Sequence, residues 1–169
     1  MRCWKAAVAV VGLSLLGVAM PPARAADSDA AAELQELRDR NAIHELLLAY
    51  GRTLDARDFD GFGGLFTEDG EYGGSRGPEA IAAAMRSTFA ANPLGLREPN
   101  FHVFFNETID VQGDRATSTS MSFYVAPDDA GEYRIAMMAA YDDELAKVGG
   151  EWKFRHRIVR ALTPGAPAE

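Results

Sequence analysis

Asp55 is an acid at the end of an apolar run. Leu46, Leu47, Leu48, Gly51 and Leu54 form a broad stripe ahead of it, and nothing in that pattern calls for a charge. His44 stands eleven residues earlier, which on a helix of 3.6 residues per turn places the two ionisable groups roughly 20° apart. A carboxylate beside an imidazole is a means of moving protons: the acid fixes the ring's tautomer and raises the basicity of the opposite nitrogen. The competing reading is that Asp55 ends one helix or caps the next, as short carboxylates do. Asp58 and Asp60 are better placed as caps, directly before Phe62, Leu65 and Phe66. A second imidazole, His102, alternates with Phe101 and Val103, and therefore shares a strand face with Phe104 and Asn106. Such a histidine is either packed, solvent-facing or directed at a ligand.

These residues need elements to hold them. Residues 31–54 read as one long helix without proline, with Gly51 as its weak point, and 59–66 as a shorter helix. Turn chemistry follows over 67–70, then a short strand at Glu71-Tyr72 and a loop at 73–77. Pro78 opens a third helix whose apolar face is Ile81, Ala84, Met85 and Phe89, ended by Asn92-Pro93. From Asn100 the period changes to two, and 101–109, 115–125, 133–147 and 152–162 read as strands joined by hairpin connections. Helices first and strands afterwards predict an α+β fold with a curved, mainly antiparallel sheet, not a parallel βαβ sheet.

The ends carry other signals. Arg2 and Lys5, an apolar run from Ala6 to Met20 and Ala23-Arg24-Ala25 form the pattern of a cleavable export signal over 1–25. The expected mature chain of 144 residues holds one domain over 26–162 and a mobile Pro- and Ala-rich tail over 163–169. A periplasmic or secreted location follows, with no membrane anchor in the mature form. Cys3, the only cysteine, leaves with the signal, so no disulfide, thiolate metal site or cysteine nucleophile remains. Cleavage removes three cations and no acid; the 14 remaining Lys and Arg against 25 Asp and Glu give a net charge of −11. That balance, with basic residues clustered only at Lys153, Arg155, Arg157 and Arg160, argues against nucleic acid as a partner.

Tyr50, Leu54, Asp55, Asp58, Phe59, Leu65, Phe66, Thr67 and Asp69, followed by Phe101-His102 and Trp152, resemble the SnoaL-like branch of the NTF2-like superfamily over residues 33–160. The resemblance implies a sheet wrapped around an N-terminal helix as a cone with one open end. It also implies a reaction type, because relatives include dehydratases, a dehydrochlorinase and polyketide cyclases, alongside non-catalytic members. In the dehydratase-like relatives an aspartate at the end of the first helix pairs with a strand histidine, and Asp55 and His102 match those two places. Tyr50 matches a substrate-facing tyrosine and Arg157 an arginine kept at the mouth. Tyr50 and Asp55, about 140° apart on a wheel, face one pocket only if the helix bends or ends near Gly51; otherwise the Tyr50 ring packs. Arg157 is alternatively a solvated strand charge, and Arg155, two residues away on the same face, is its substitute. Relatives associate through the outer sheet face, which implies a homo-oligomer, a dimer or trimer.

One departure limits the transfer. Scytalone dehydratase has a second strand histidine, whereas 117–124 here offers Thr119, Ser120, Ser122 and Tyr124. Hydroxyls orient substrates but carry protons poorly near neutral pH. Phe89, Phe104, Ser122 and Tyr124 are the candidate substrate-binding residues, with Met121, Phe123, Met137, Met138 and Tyr141 as further wall or ordinary core. His44 reads as a helix-packing residue. Three histidines without short paired spacing predict no metal site, and the lack of a Gly-rich nucleotide loop, P-loop or G-x-S-x-G elbow predicts no cofactor and no hydrolase chemistry. The expected function is a cofactor-independent lyase or isomerase acting on a small apolar oxygenated molecule. The alternative is a non-catalytic exported module that binds such a molecule or, with a filled cone, an assembly domain.

Overall fold

The computed structural model describes residues 23–92 and 97–162. Residues 1–22 of the expected export signal over 1–25, Pro93 and the tail over 163–169 lie outside them. Helix α1 spans Ala23–Asp55, and its first turns extend beyond the expected start at Ala31 because the Ala-rich leader contains no breaker. Asp39, Ile43, Leu47, Tyr50 and Leu54 recur at three- and four-residue steps and form its buried stripe, while 28–38 is exposed. Helix α2, Phe59–Gly64, is capped by Asp58, whose carboxylate accepts the Gly61 N–H at 2.9 Å. Asp55 is therefore free of capping duty.

Strand β1 covers Phe66–Tyr72, so the segment expected as helix end and turn is a strand. Its register against β6 breaks between Phe66 and Glu71, and a side chain at Gly70 would lie 3.1 Å from the Phe154 carbonyl. Turn-forming residues sit there because the strand bulges. Strand β2, Ser75–Arg76, and helix α3, Pro78–Ala91, follow. Two strands thus precede the third helix, where the sequence predicts one short strand at Glu71-Tyr72 followed by a loop. The remaining strands are β3 (Phe101–Gln112), β4 (Arg115–Pro127), β5 (Tyr133–Val148) and β6 (Glu151–Ala161).

The six strands form one curved, unclosed sheet in the order β2-β1-β6-β5-β4-β3. All neighbours are antiparallel except β1 and β6. This is the expected α+β cone, with the C-terminal half of α1 inside it. Alternation on β4 turns Ala116, Ser118, Ser120, Ser122, Tyr124 and Ala126 inward. The narrow end is fastened by Asp39, which accepts hydrogen bonds from Lys147 Nζ at 2.6 Å and Trp152 Nε1 at 2.9 Å. Burial pushes the Asp39 carboxyl up, but bonds from Lys147, Trp152 and Gln35 outweigh it and hold the group below its ordinary range. At the other end, Phe62, Ile81 and Phe154 are fully buried beneath the α2–α3 pair.

Candidate functional site

Helix α1 delivers Asp55 to the inner face of β3, and Gly51 makes the approach possible. A Cβ on Gly51 would lie 3.0 Å from both His102 Cβ and Phe104 Cε2. One turn later, Asp55 Oδ1 is 2.7 Å from His102 Nδ1, and Oδ2 accepts the His102 backbone N–H at 2.9 Å. Asn100 Nδ2 adds a third bond to Oδ1 at 3.2 Å. These donors offset the unfavourable placement of a carboxylate at the negative end of a helix. The imidazole side chain is 5% exposed. With Nδ1 committed to Asp55, Nε2 is the nitrogen left to meet a ligand.

His102 lines a cavity of about 230 Å³ at the open end of the cone. The cone is not filled. Leu54, Met85, Phe89, Met137 and Val159 supply apolar wall, Tyr50, Tyr72, Tyr124 and Tyr141 aromatic wall, and Arg57, Glu98 and Asn92 part of the rim. Tyr124 packs on the imidazole with ring centroids 4.8 Å apart, and the Tyr50 ring stands edge-on to it at 6.2 Å. Tyr50 and Tyr72 share a hydrogen bond of 2.6 Å between phenol oxygens. Burial pushes the Tyr50 phenol well above its ordinary range and raises Tyr72 as well, so both stay protonated as donors. Helix α1 runs unbroken past Gly51 to Asp55, and the two residues do not line the cavity together: Tyr50 does, while Asp55 binds Nδ1 of His102 outside that lining.

Arg157, Arg155, Ser122, Phe104 and His44 sit elsewhere than expected. Arg157 is not at the mouth, since its side chain is wholly buried below the cavity floor, 3.5 Å from Asp143 through Nε. Its Cζ lies 4.1 Å from the ring centroids of both Tyr50 and Tyr141. Burial pushes the Asp143 carboxyl up, against the pull of Arg157, and Ser118 donates to it at 2.8 Å. The cause of the misplacement is a register shift between Glu144 and Leu145 that inserts Arg155 as an extra residue in β6. Beyond it the alternation restarts, so Arg157 joins Trp152 and Phe154 inside while Arg155 turns out to Glu144 at 2.7 Å. Arg155 is no substitute for Arg157. Ser122 is also behind the wall, bonded to the Tyr141 hydroxyl at 2.9 Å, and Phe104 stacks beside His102 and Tyr141 without lining the cavity. His44 does not share a site with Asp55; it pairs with Glu107 at 2.8 Å near the surface.

Arg57, Tyr72, Glu98 and Asn100 were not singled out by their sequence. Arg57 has the clearest signal in retrospect, a basic residue two positions beyond an acid that is not a cap. Among the described residues, no group of three or more His, Cys, Asp or Glu is disposed to hold a metal ion, and no helix is long and apolar enough to cross a membrane.

Known proteins share this fold. The family model described as a SnoaL-like domain matches residues 35–158. Among solved structures, a protein of unknown function from Mycobacterium tuberculosis is 29% identical, with 75% of this chain aligned to 73% of that one at a TM-score of 0.65. An NTF2-like protein with a cystatin-like fold from Novosphingobium aromaticivorans is 26% identical over 82% of this chain and 92% of its own, at a TM-score of 0.69. A protein from the same organism, provisionally named a scytalone dehydratase, is 23% identical over 76% and 87%, at 0.62. Among curated proteins none matches the sequence. With its family model matched over most of its length, the chain belongs to the SnoaL-like family of the NTF2-like fold.

Proposed function

We propose that this protein is a cofactor-independent lyase, of the dehydratase kind, or an isomerase, acting on a small, largely apolar, oxygenated molecule. The observation that carries the proposal is the 2.7 Å contact between Asp55 and an imidazole that lines an apolar cavity. Ionised Asp55 holds the proton on Nδ1, and Nε2 removes a proton from the carbon next to a substrate carbonyl. Charge moves onto the carbonyl oxygen, which accepts the one phenol proton that the Tyr50–Tyr72 hydrogen bond leaves free. As the double bond forms, the neighbouring C–O bond breaks, and the imidazolium returns its proton to the departing hydroxyl, releasing water. Return of the proton to a different carbon gives isomerisation instead. General acid-base assistance of this kind contributes about 10²–10⁴-fold, and a positioned donor adds to it. The name of the scytalone dehydratase relative agrees with this reaction type.

The test uses a panel of small cyclic β-hydroxy ketones, followed by enone absorbance and by deuterium incorporation at the carbon next to the carbonyl. Wild type is expected to turn over or exchange at least one member, and Asp55→Asn and His102→Ala are expected to stay folded and lose that activity. Unchanged rates in both variants end the proposal. A ligand retained in native mass spectrometry and released unaltered, with no exchange, supports the holding module instead.

The same proposal includes export and self-association. Cleavage after Ala25 takes only three residues of α1, so an intact mass lacking 25 residues is expected for protein recovered outside the cytoplasm. On the outer sheet face Phe101 and Val103 of β3 are 42% and 43% exposed and Ile135 of β5 59%, on the two strands that flank β4, an apolar surface suited to a second copy.

A further inference from the structure

The turn after α1 places an arginine where the backbone favours glycine. The helix closes with Asp58 N–H donating to the Thr53 carbonyl at 2.8 Å and Arg57 N–H to that of Leu54 at 3.1 Å, with Arg57 at φ +59°. This left-handed position just past a helix end is usually glycine, because a Cβ is crowded there. A non-glycine residue held so carries a conformational cost, and such costs gather where a particular side chain is needed. Here the conformation aims the guanidinium at the cavity rim.

The guanidinium is held firmly, but its counter-ion is not. Nη1 donates to the Leu54 carbonyl at 2.8 Å, Nη2 to Asn100 Oδ1 at 2.6 Å, and Cζ sits 4.4 Å over the Phe89 ring. The carboxylate partner, Glu98 at 2.7 Å, is 67% exposed, so solvent and salt screen the pair and leave it easily exchanged. Among the described residues lining the cavity, Arg57 is the one permanent cation. Asn100 links it to the acid behind His102, since its amide bonds both Arg57 and Asp55 Oδ1. An oxyanion bound by Arg57 would therefore sit in a fixed relation to the imidazole.

Resting on the reaction proposed at His102, we propose that Arg57 is a specificity residue that binds a carboxylate borne by an otherwise apolar substrate, displacing Glu98 into solvent. The apolar body then lies against Phe89, Met85 and Leu54 with its reacting carbon toward Nε2. The rival role is a latch in which Arg57 and Glu98 only close the turn onto β3.

The two roles separate by calorimetric titration of the full chain with cinnamate and its neutral counterpart cinnamamide. Wild type is expected to bind cinnamate about tenfold more tightly than the amide, as a charge-assisted contact requires. Arg57→Gly, which suits the backbone and keeps the turn, should abolish that preference. Glu98→Gln, at an exposed position, should tighten cinnamate severalfold because the competing carboxylate is gone. Equal binding of both probes to wild type, a preference that survives Arg57→Gly, or weaker cinnamate binding in Glu98→Gln overturns the proposal in favour of the latch. Binding is read without turnover, so failure of the Asp55–His102 reaction leaves the probe ranking intact, and failure of the ranking leaves the turnover result intact.

Discussion

Replacing Gly51 by alanine inserts one methyl group between α1 and β3, one helical turn from the contact between Asp55 and His102. The new Cβ would meet His102 Cβ and Phe104 Cε2, each at 3.0 Å. Neither can be avoided by rotating a flexible tip, since one atom is fixed to the backbone and the other belongs to a packed ring. Alanine gains about 1 kcal/mol over glycine in helix propensity. Overpacking of this kind costs about 1–3 kcal/mol, so the net effect runs from near zero to about 2 kcal/mol of destabilisation, a fall in Tm of a few degrees. The larger consequence is geometric. Asp55 is carried by α1 and His102 by β3, so a strand pushed away by a few tenths of an ångström lengthens both bonds from His102 to the carboxylate. Misplacement on that scale is expected to cost on the order of tenfold in turnover. Thermal denaturation gives the stability term, and the chemical shift of the His102 Nδ1 proton reports the contact directly. A variant with raised Tm and an unmoved imidazole resonance would refute the account of why glycine stands here.

Other perturbations have equally defined outcomes. Asp39→Asn is expected to cost about 2 kcal/mol in urea unfolding at neutral pH, because the Lys147 and Trp152 donors lose a charged acceptor. Since the folded Asp39 carboxyl lies below its ordinary range, its contribution is full above that range and disappears as pH falls through the lowered value; the gap between wild type and variant should close in acid. Arg157→Met alone should destabilise by about 3–5 kcal/mol by leaving Asp143 buried and uncompensated, and adding Asp143→Leu should recover most of it, as a double-mutant cycle will show. Ile135→Glu on the outer face should shift sedimentation toward the monomer; unchanged mass would place any self-association elsewhere.

Much of the fold was legible because its signals are local. The 3.6-residue stripe of α1, Pro78 at the start of α3 and the period-two runs of β3 to β6 each follow from nearest-neighbour geometry. The extent of β1 was not, because residues 67–70 have the composition of a turn and are carried in the strand as a bulge between Phe66 and Glu71, whose β6 partners Phe154 and His156 lie far away in sequence. In the site, Asp55 and His102 came from family likeness, and periodicity alone left both open to ordinary roles. Tyr50 also came from family likeness, and its place in the wall does not require it to share that lining with Asp55, which lies outside it. Arg157 failed for a reason no window on β6 can reveal, since the extra residue is visible only against the register of β5. Arg57 was hidden by its position in a turn, where side-chain direction depends on a backbone angle and not on a repeat.

The extra residue in β6 makes the inside and outside of the cone depend on a count of one. Before Arg155 the strand keeps time with the Gly149–Gly150 hairpin, and after it with the bulge, so two halves of one strand answer to separate origins. A regular ladder that kept Arg155 without the bulge would exchange the faces of everything that follows, drawing His156 and Ile158 inward and expelling the guanidinium. Homologues aligned across this point without regard to the insertion would match an interior cation to a surface one. The bulge at Arg155 and the identity of residue 157 together therefore place a charged floor under this cavity.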